Sequence, residues 1–239
     1  MLTQLIRGGY TADEVVLYII IFLFALTLSF AFHEYMHAKV ADWLGDPTPR
    51  DMGRVTLNPI AHVDPVGTFM ILLLGFGWGK PVPINRRLLR RFKSNRLMVI
   101  LVSVAGVTGN FILALISSIL WTIMDCTLNV HSNPVIFCIY EILGAITVFS
   151  LGLLAFNLLP IPPLDGFHIV EELLPYSVRQ KKWYLMFRIY APRVLMFIIF
   201  AASLSGYNIL RPMIDLIEAP FAFIISLVIM PIRILLGGL

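Results

Sequence analysis

Residues 15–32 are apolar at every position except Thr27 and Ser29. A run of this length has few places to go. It is long enough to cross a bilayer as a helix, which takes roughly 17–25 residues. Lipid accepts only backbone whose polar groups are satisfied internally. The composition agrees: 59% of the 239 residues are hydrophobic and 13% are charged, where a soluble domain carries about 25%. Mean hydropathy is +0.87. The expected fold class is a mainly α, polytopic helical membrane protein. Residues 1–239 are expected to form one membrane-embedded unit, with no room for a large soluble domain. A secretory signal is the other reading of the first run, because Arg7 precedes it and Ser29-Phe30-Ala31 is weakly cleavage-like. Signal cores are shorter, about 7–15 residues, and cleavage there would separate the helix from the polar cluster that follows it.

The placement of charge says more than the net value of +4. Lys80, Arg86, Arg87, Arg90, Arg91, Lys93 and Arg96 crowd a segment without a single acid. Arg179, Lys181, Lys182, Arg188 and Arg193 form a second basic group. Between membrane helices such groups mark cytoplasmic loops and attract anionic lipid headgroups; no nucleic-acid partner is expected. Leu88, Leu89 and Phe92 share a face if residues 86–93 are helical, so an interfacial helix is expected there.

Spans are predicted at about 15–41, 97–124 and 135–156, a three-helix core. C-terminal membrane segments follow over about 185–239, with a span at 194–210 and either a fifth span or an interfacial segment at 213–239, where Pro220, Pro231 and Arg233 interrupt the run. The polar stretch 50–65 offers a short strand at 53–57. Residues 66–85 form an apolar run broken by Gly and Pro, the pattern of a re-entrant or interfacial hairpin. Cys126 and Cys138 flank the short loop between the second and third spans and read as small buried hydrophobes. That loop lacks Lys and Arg, which places it outside and places 80–96 and 175–193 in the cytoplasm. The first helix then carries its C-terminal end to the same side as the turn at 157–166.

That C-terminal end reads His33-Glu34-Tyr35-Met36-His37. Positions i and i+4 share a helix face, so both imidazoles can meet one ion. Two neutral imidazoles and a carboxylate suit zinc with one position left for water, and Glu34 can accept a proton from that water. Three ionisable groups inside a membrane helix are costly unless something offsets them. The third ligand is open at this level. Asp165 in the Pro-rich turn is one donor, with capping of a short helix at 166–174 as its other role; His62, Asp64 and His168 are rivals. Asp125 falls on the outer side.

Taken together, "FHEYMHAKVADWLGDPTPRDMGRVTLNPIAHVDPVGTF", "GWGKPVPIN" and "NLLPIPPLDG" resemble the site-2 protease family of intramembrane zinc metalloproteases, in particular its small bacterial members without a PDZ domain. The resemblance covers about residues 15–175. It implies one zinc ion per chain held by His33, His37 and Asp165, with Glu34 as general base. It also implies that Asn157 steadies the substrate backbone or the developing oxyanion, where helix C-capping is the alternative. One departure stands out: the family commonly has Gly-Pro-x-x-Asn in its second core helix, and here Val107 follows Gly106, with Asn110 kept. The implied activity is hydrolysis of membrane-spanning substrates at the plasma membrane, with the site near the cytoplasmic side. An extended substrate segment would add to the 53–57 strand or the neighbouring hairpin. Two alternatives are a metal transporter or channel and a catalytically inert scaffold. Neither the substrate nor the oligomeric state is legible.

Overall fold

The computed structural model describes residues 10–74, 77–205 and 207–237. Five of its helices are long and apolar enough to cross a membrane, and the protein is a multi-pass helical membrane protein.

Helix α1, Ala12–Trp43, begins at Thr11, whose hydroxyl accepts from the Glu14 N–H while Glu14 returns the bond to the Thr11 N–H. This reciprocal cap satisfies two of the amide donors that a helix start leaves unpaired. The helix gives way at Gly45, whose φ of +107° suits a residue without a Cβ. Along it Ile21, Ala25, Ser29, His33, His37 and Ala41 form one buried i, i+4 row. The small residues in the first half of that row admit close packing, and the histidines extend the same seam.

A four-residue helix α2, Thr48–Asp51, and a 3-10 turn, Pro59–Ala61, follow. Helix α3, Pro65–Leu74, then leads into a return stretch, 77–85, that carries no helix. The expected hairpin is thus a short helix with an irregular return strap, residues 75 and 76 lying outside the described residues. The expected strand at 53–57 is not formed. Gly53 sits at φ +66°, Arg54 N–H turns back to the Pro49 carbonyl at 2.7 Å, and the Arg54 guanidinium reaches the Ala61 carbonyl. These bonds close the segment on itself and leave no ladder. Among the described residues the β pairing is one isolated bridge, Val63 with Gly79.

Residues 86–93 are a non-helical turn rather than an interfacial helix. Arg90 and Arg91 N–H both donate to the Leu44 carbonyl at the end of α1, at 2.9 and 3.1 Å. Leu89 is drawn into a core with Ala41, Leu44 and Met98, while Arg91 stacks on Trp43. Tertiary anchoring takes up the backbone groups that a helix would have used.

Helix α4, Asn95–Thr127, starts at the Ser94 cap and is the centre of the bundle, packing on α1 and on α5, Pro134–Asn157. Gly106, Gly109, Ala114, Ser117 and Ser118 keep its buried side narrow, as close helix packing in lipid requires. Val107, where the family commonly has proline, is buried against Leu154 and Ala155, and the helix runs through it unbroken. Between α5 and α1, Ser150 Oγ donates to Ser29 Oγ at 3.0 Å, both fully buried.

A short turn leads from α5 to α6, Asp165–Leu173, then to α7, Tyr176–Arg179. Helix α8 covers Lys182–Ser205, earlier than the 194–210 expected. The helix continues through Lys182, Arg188 and Arg193 because long basic side chains carry their charge to the interface while the backbone stays helical. Helix α9, Arg211–Leu235, resolves the ambiguous tail as a fifth helix of spanning length, with Pro220 and Pro231 inside it. Cys126 and Cys138 are free and half-buried.

Candidate metal centre

The i, i+4 row of α1 places His33 Nε2 and His37 Nε2 2.9 Å apart. Asp165 arrives from the first turn of α6, its Oδ2 3.2 Å from His33 Nε2 and 3.1 Å from His37 Nε2. Leu164, not Asp165, is the cap of α6, and no side chain caps that helix start. The carboxylate is therefore spent on the histidines. Gly166 makes this position reachable: a Cβ there would stand 2.2 Å from the Leu158 carbonyl oxygen, so only glycine lets α6 begin flush against the end of α5.

The second ring nitrogens fix the tautomers. His37 Nδ1–H donates to the Val102 carbonyl of α4 at 2.7 Å. That leaves Nε2 as a lone pair facing Asp165. His33 Nδ1 lies 3.2 Å from the Asn110 amide, and Asn110 Oδ1, fully buried, has no partner among the described residues. Half a turn of the amide presents that oxygen to Nδ1–H and satisfies both groups. His33 Nε2 is then a second lone pair. Asp165 Oδ2 is likewise buried without a hydrogen-bond donor.

Three electron-pair donors within 3.2 Å of one another repel unless a cation lies among them. Ligands at 2.0–2.1 Å from a tetrahedral zinc ion stand about 3.3 Å apart, close to the spacing here. The donor set of two imidazoles and a carboxylate fits zinc and leaves a position open. Among the described residues this is the one group of three such side chains close enough to share an ion.

A cavity of about 330 Å³ opens beside the three residues. Glu34 lines it, buried, with Oε2 accepting from the Val82 N–H at 2.8 Å. Asn157 lines it from the last position of α5, where its Nδ2 donates to the Leu153 carbonyl at 2.9 Å; the cap position itself is Leu158. Of the rival donors, His62 is fully buried with Nε2 at the Thr56 carbonyl, and Asp64 accepts from the Gly67 N–H. His168 lines the cavity, but its Nδ1 faces the Arg86 guanidinium at 3.1 Å. Burial, and then the Arg86 charge, hold its pKa below the ordinary imidazole value. Asp125 lies elsewhere, with Tyr140 and Arg233.

Three contributors had no role at the site assigned from the sequence. Asn110 appeared only as a surviving family residue. Gly106 is the floor of the site: a Cβ there would meet both imidazoles. Val82 supplies the contact to Glu34. Its sequence signal is Pro81-Val82-Pro83, a triplet with a single N–H.

Residues 122–202 match the model of Peptidase family M50. A Bacillus subtilis (strain 168) protein, YwhC, which bears the name of a zinc metalloprotease, is 40% identical over 201 residues, covering 80% of this chain and 84% of its own. Rip2 of Mycolicibacterium smegmatis (strain ATCC 700084 / mc(2)155), with a name of the same kind, is 31% identical over 152 residues, 60% of this chain and 53% of its own. No solved structure matches the chain.

Proposed function

The chain belongs to peptidase family M50, and on that premise we propose that His33, His37 and Asp165 hold the zinc ion while Glu34 is the general base. The protein is an intramembrane zinc metalloprotease. The observation that carries the residue assignment is the meeting of His33 Nε2, His37 Nε2 and Asp165 Oδ2 within 3.2 Å beside a cavity that Glu34 lines.

Bound zinc supplies Lewis acidity to the scissile carbonyl and brings the pKa of a water towards about 7. Everything else falls to this chain's side chains. His37, braced by the Val102 carbonyl, and His33, braced by Asn110, present fixed nitrogens. Glu34 takes the proton of the attacking water and returns it to the leaving amine nitrogen. Asn157, at the cavity wall, steadies the substrate backbone or the developing oxyanion.

The substrate class we propose is a membrane-spanning peptide, unwound locally so that its amide is exposed. The strap at 77–85 receives its extended segment in place of the unformed strand at 53–57. Residues 1–239 work as one unit in the plasma membrane, with the site near the cytoplasmic side and the basic loops on anionic lipid, following the charge distribution. A transit role for the metal would need further stations, and the described residues hold one such group.

The test is Glu34→Gln in the full-length protein. Zinc content is expected to stay at the wild-type level while cleavage of a membrane substrate falls by about 10²–10⁴-fold. Native-rate cleavage by that variant would overturn the mechanism, and metal flux in proteoliposomes without cleavage would favour transport.

A further inference from the structure

The strap at 77–85 is poor in donors, and its donors go to particular places. Pro81 and Pro83 lack an N–H, so Val82 carries the one donor of that triplet. Val82 is buried, and its N–H goes to Glu34 Oε2 at 2.8 Å. Three residues on, the Asn85 N–H donates to Asp46 Oδ2 at 2.6 Å. Asp46 is fully buried, and its Oδ1 accepts from the Thr48 N–H at 3.0 Å. Both carboxylates belong to one stretch of chain: Glu34 lies inside α1, and Asp46 lies just past its end. The helix that carries the two histidines, with the turn that follows it, thus grips the strap at two points.

Both sides of the grip are anchored. Before it, Lys80 N–H donates to the His62 carbonyl at 2.7 Å and Gly79 bridges Val63. After it, Arg86 lies 3.2 Å from Glu172 and 3.1 Å from His168 on α6, the helix that begins with Asp165. A buried carboxylate is costly unless its oxygens are satisfied. Ending α1 needs no such group, because Gly45 already does it. Asp46 spends its second oxygen on a residue 39 positions away.

We propose that the Val82 amide aims Glu34 and that Asp46 is a positioning residue that keeps this amide in register. The proposal rests on Glu34 being the general base. A base must hold its accepting oxygen within about 2.6–3.2 Å of the atom whose proton it takes. With Oε2 fixed by the strap, the carboxylate cannot swing, and Oε1 is the oxygen left for the proton. The flanking prolines keep the strap from offering a competing donor beside it.

Hydrogen exchange on the full-length, zinc-loaded protein tests this directly, because a peptide covering 81–84 carries amides only at Val82 and Ile84. In the wild type the Val82 amide is expected to exchange at least about tenfold more slowly than that of Ile84. In Asp46→Ala that protection falls, and kcat drops by up to about 10²-fold, the scale of a small misplacement, with zinc content and KM unchanged. Asn85→Pro removes the same hydrogen bond from the other side and serves if Asp46→Ala does not fold; it is expected to show the same pattern. A wild-type Val82 amide that exchanges as fast as Ile84 overturns the proposal. So does a cleaving wild type matched in kcat by a folded Asp46→Ala or Asn85→Pro variant. Failure of the protease reading looks different: a zinc-loaded wild type with a protected Val82 amide that does not cleave.

Discussion

A Cβ built on Gly106 would stand 2.3 Å from His37 Nε2, and 2.7 Å from His33 Nε2. Helix α4 therefore approaches α1 here at a position without a side chain, and the imidazoles fill that space. Gly106→Ala is expected to force both rings away from Asp165. The overpacking costs about 1–3 kcal/mol, and zinc is lost to a chelator at lower concentrations than in the wild type. Inductively coupled plasma analysis after chelator titration reads the first effect on the metal, and a thermal melt reads the stability. Wild-type zinc retention by this variant would show that the rings have another place to sit.

Asn110 is expected to matter through His33 rather than through any contact with substrate. Asn110→Ala removes the acceptor for Nδ1–H and lets the ring take the wrong tautomer. Loss of such a brace costs about 10–100-fold in metal affinity or activity. A zinc competition titration measures it, and unchanged affinity would mean that His33 is oriented by packing alone.

Tyr184 on α8 donates to Glu171 Oε1 on α6 at 2.8 Å, and both residues are buried. Glu171 also meets Arg188 at 3.3 Å and Arg86 at 3.7 Å. Hydrogen bonds to charged groups contribute about 1.5–3 kcal/mol, so Tyr184→Phe is expected to destabilise by that order. Zinc content should not change. A melt in detergent, beside metal analysis of the same sample, separates the two. A variant as stable as the wild type would show that the arginines satisfy Glu171 without the tyrosine hydroxyl.

The first three spans were legible because residues 15–41, 97–124 and 135–156 are built on long apolar runs and bounded by caps or prolines; the helices overrun these limits by one to three residues at either end. The start of α8 was not legible, since Lys182, Arg188 and Arg193 break a hydropathy window without breaking a helix. The strand at 53–57 failed for the opposite reason: its local pattern suits a strand, but pairing needs a partner that the fold does not supply there. In the site, the histidine spacing is a property of one helix and could be read directly. That Asp165 meets them depends on Gly166 fitting under Leu158, a tertiary fact. Asp46 reads in sequence as an ordinary turn residue, and nothing local reveals that its second oxygen reaches Asn85.

The bridge between Val63 and Gly79 gives the fold a feature of another kind. Gly79 is wedged against Phe30, where a Cβ would meet the ring at 2.0 Å, so the chain departs and returns through one fixed gate. What lies between includes α3, which also packs on α8, so the lobe is mounted at that bridge and against the bundle. Lengthening a loop closed at such a mount costs only about 0.6 kcal/mol per doubling. A graft into the α3 lobe should therefore travel with the enzyme without respacing His33 and Asp165, which makes this lobe a handle for tags and exchanged segments.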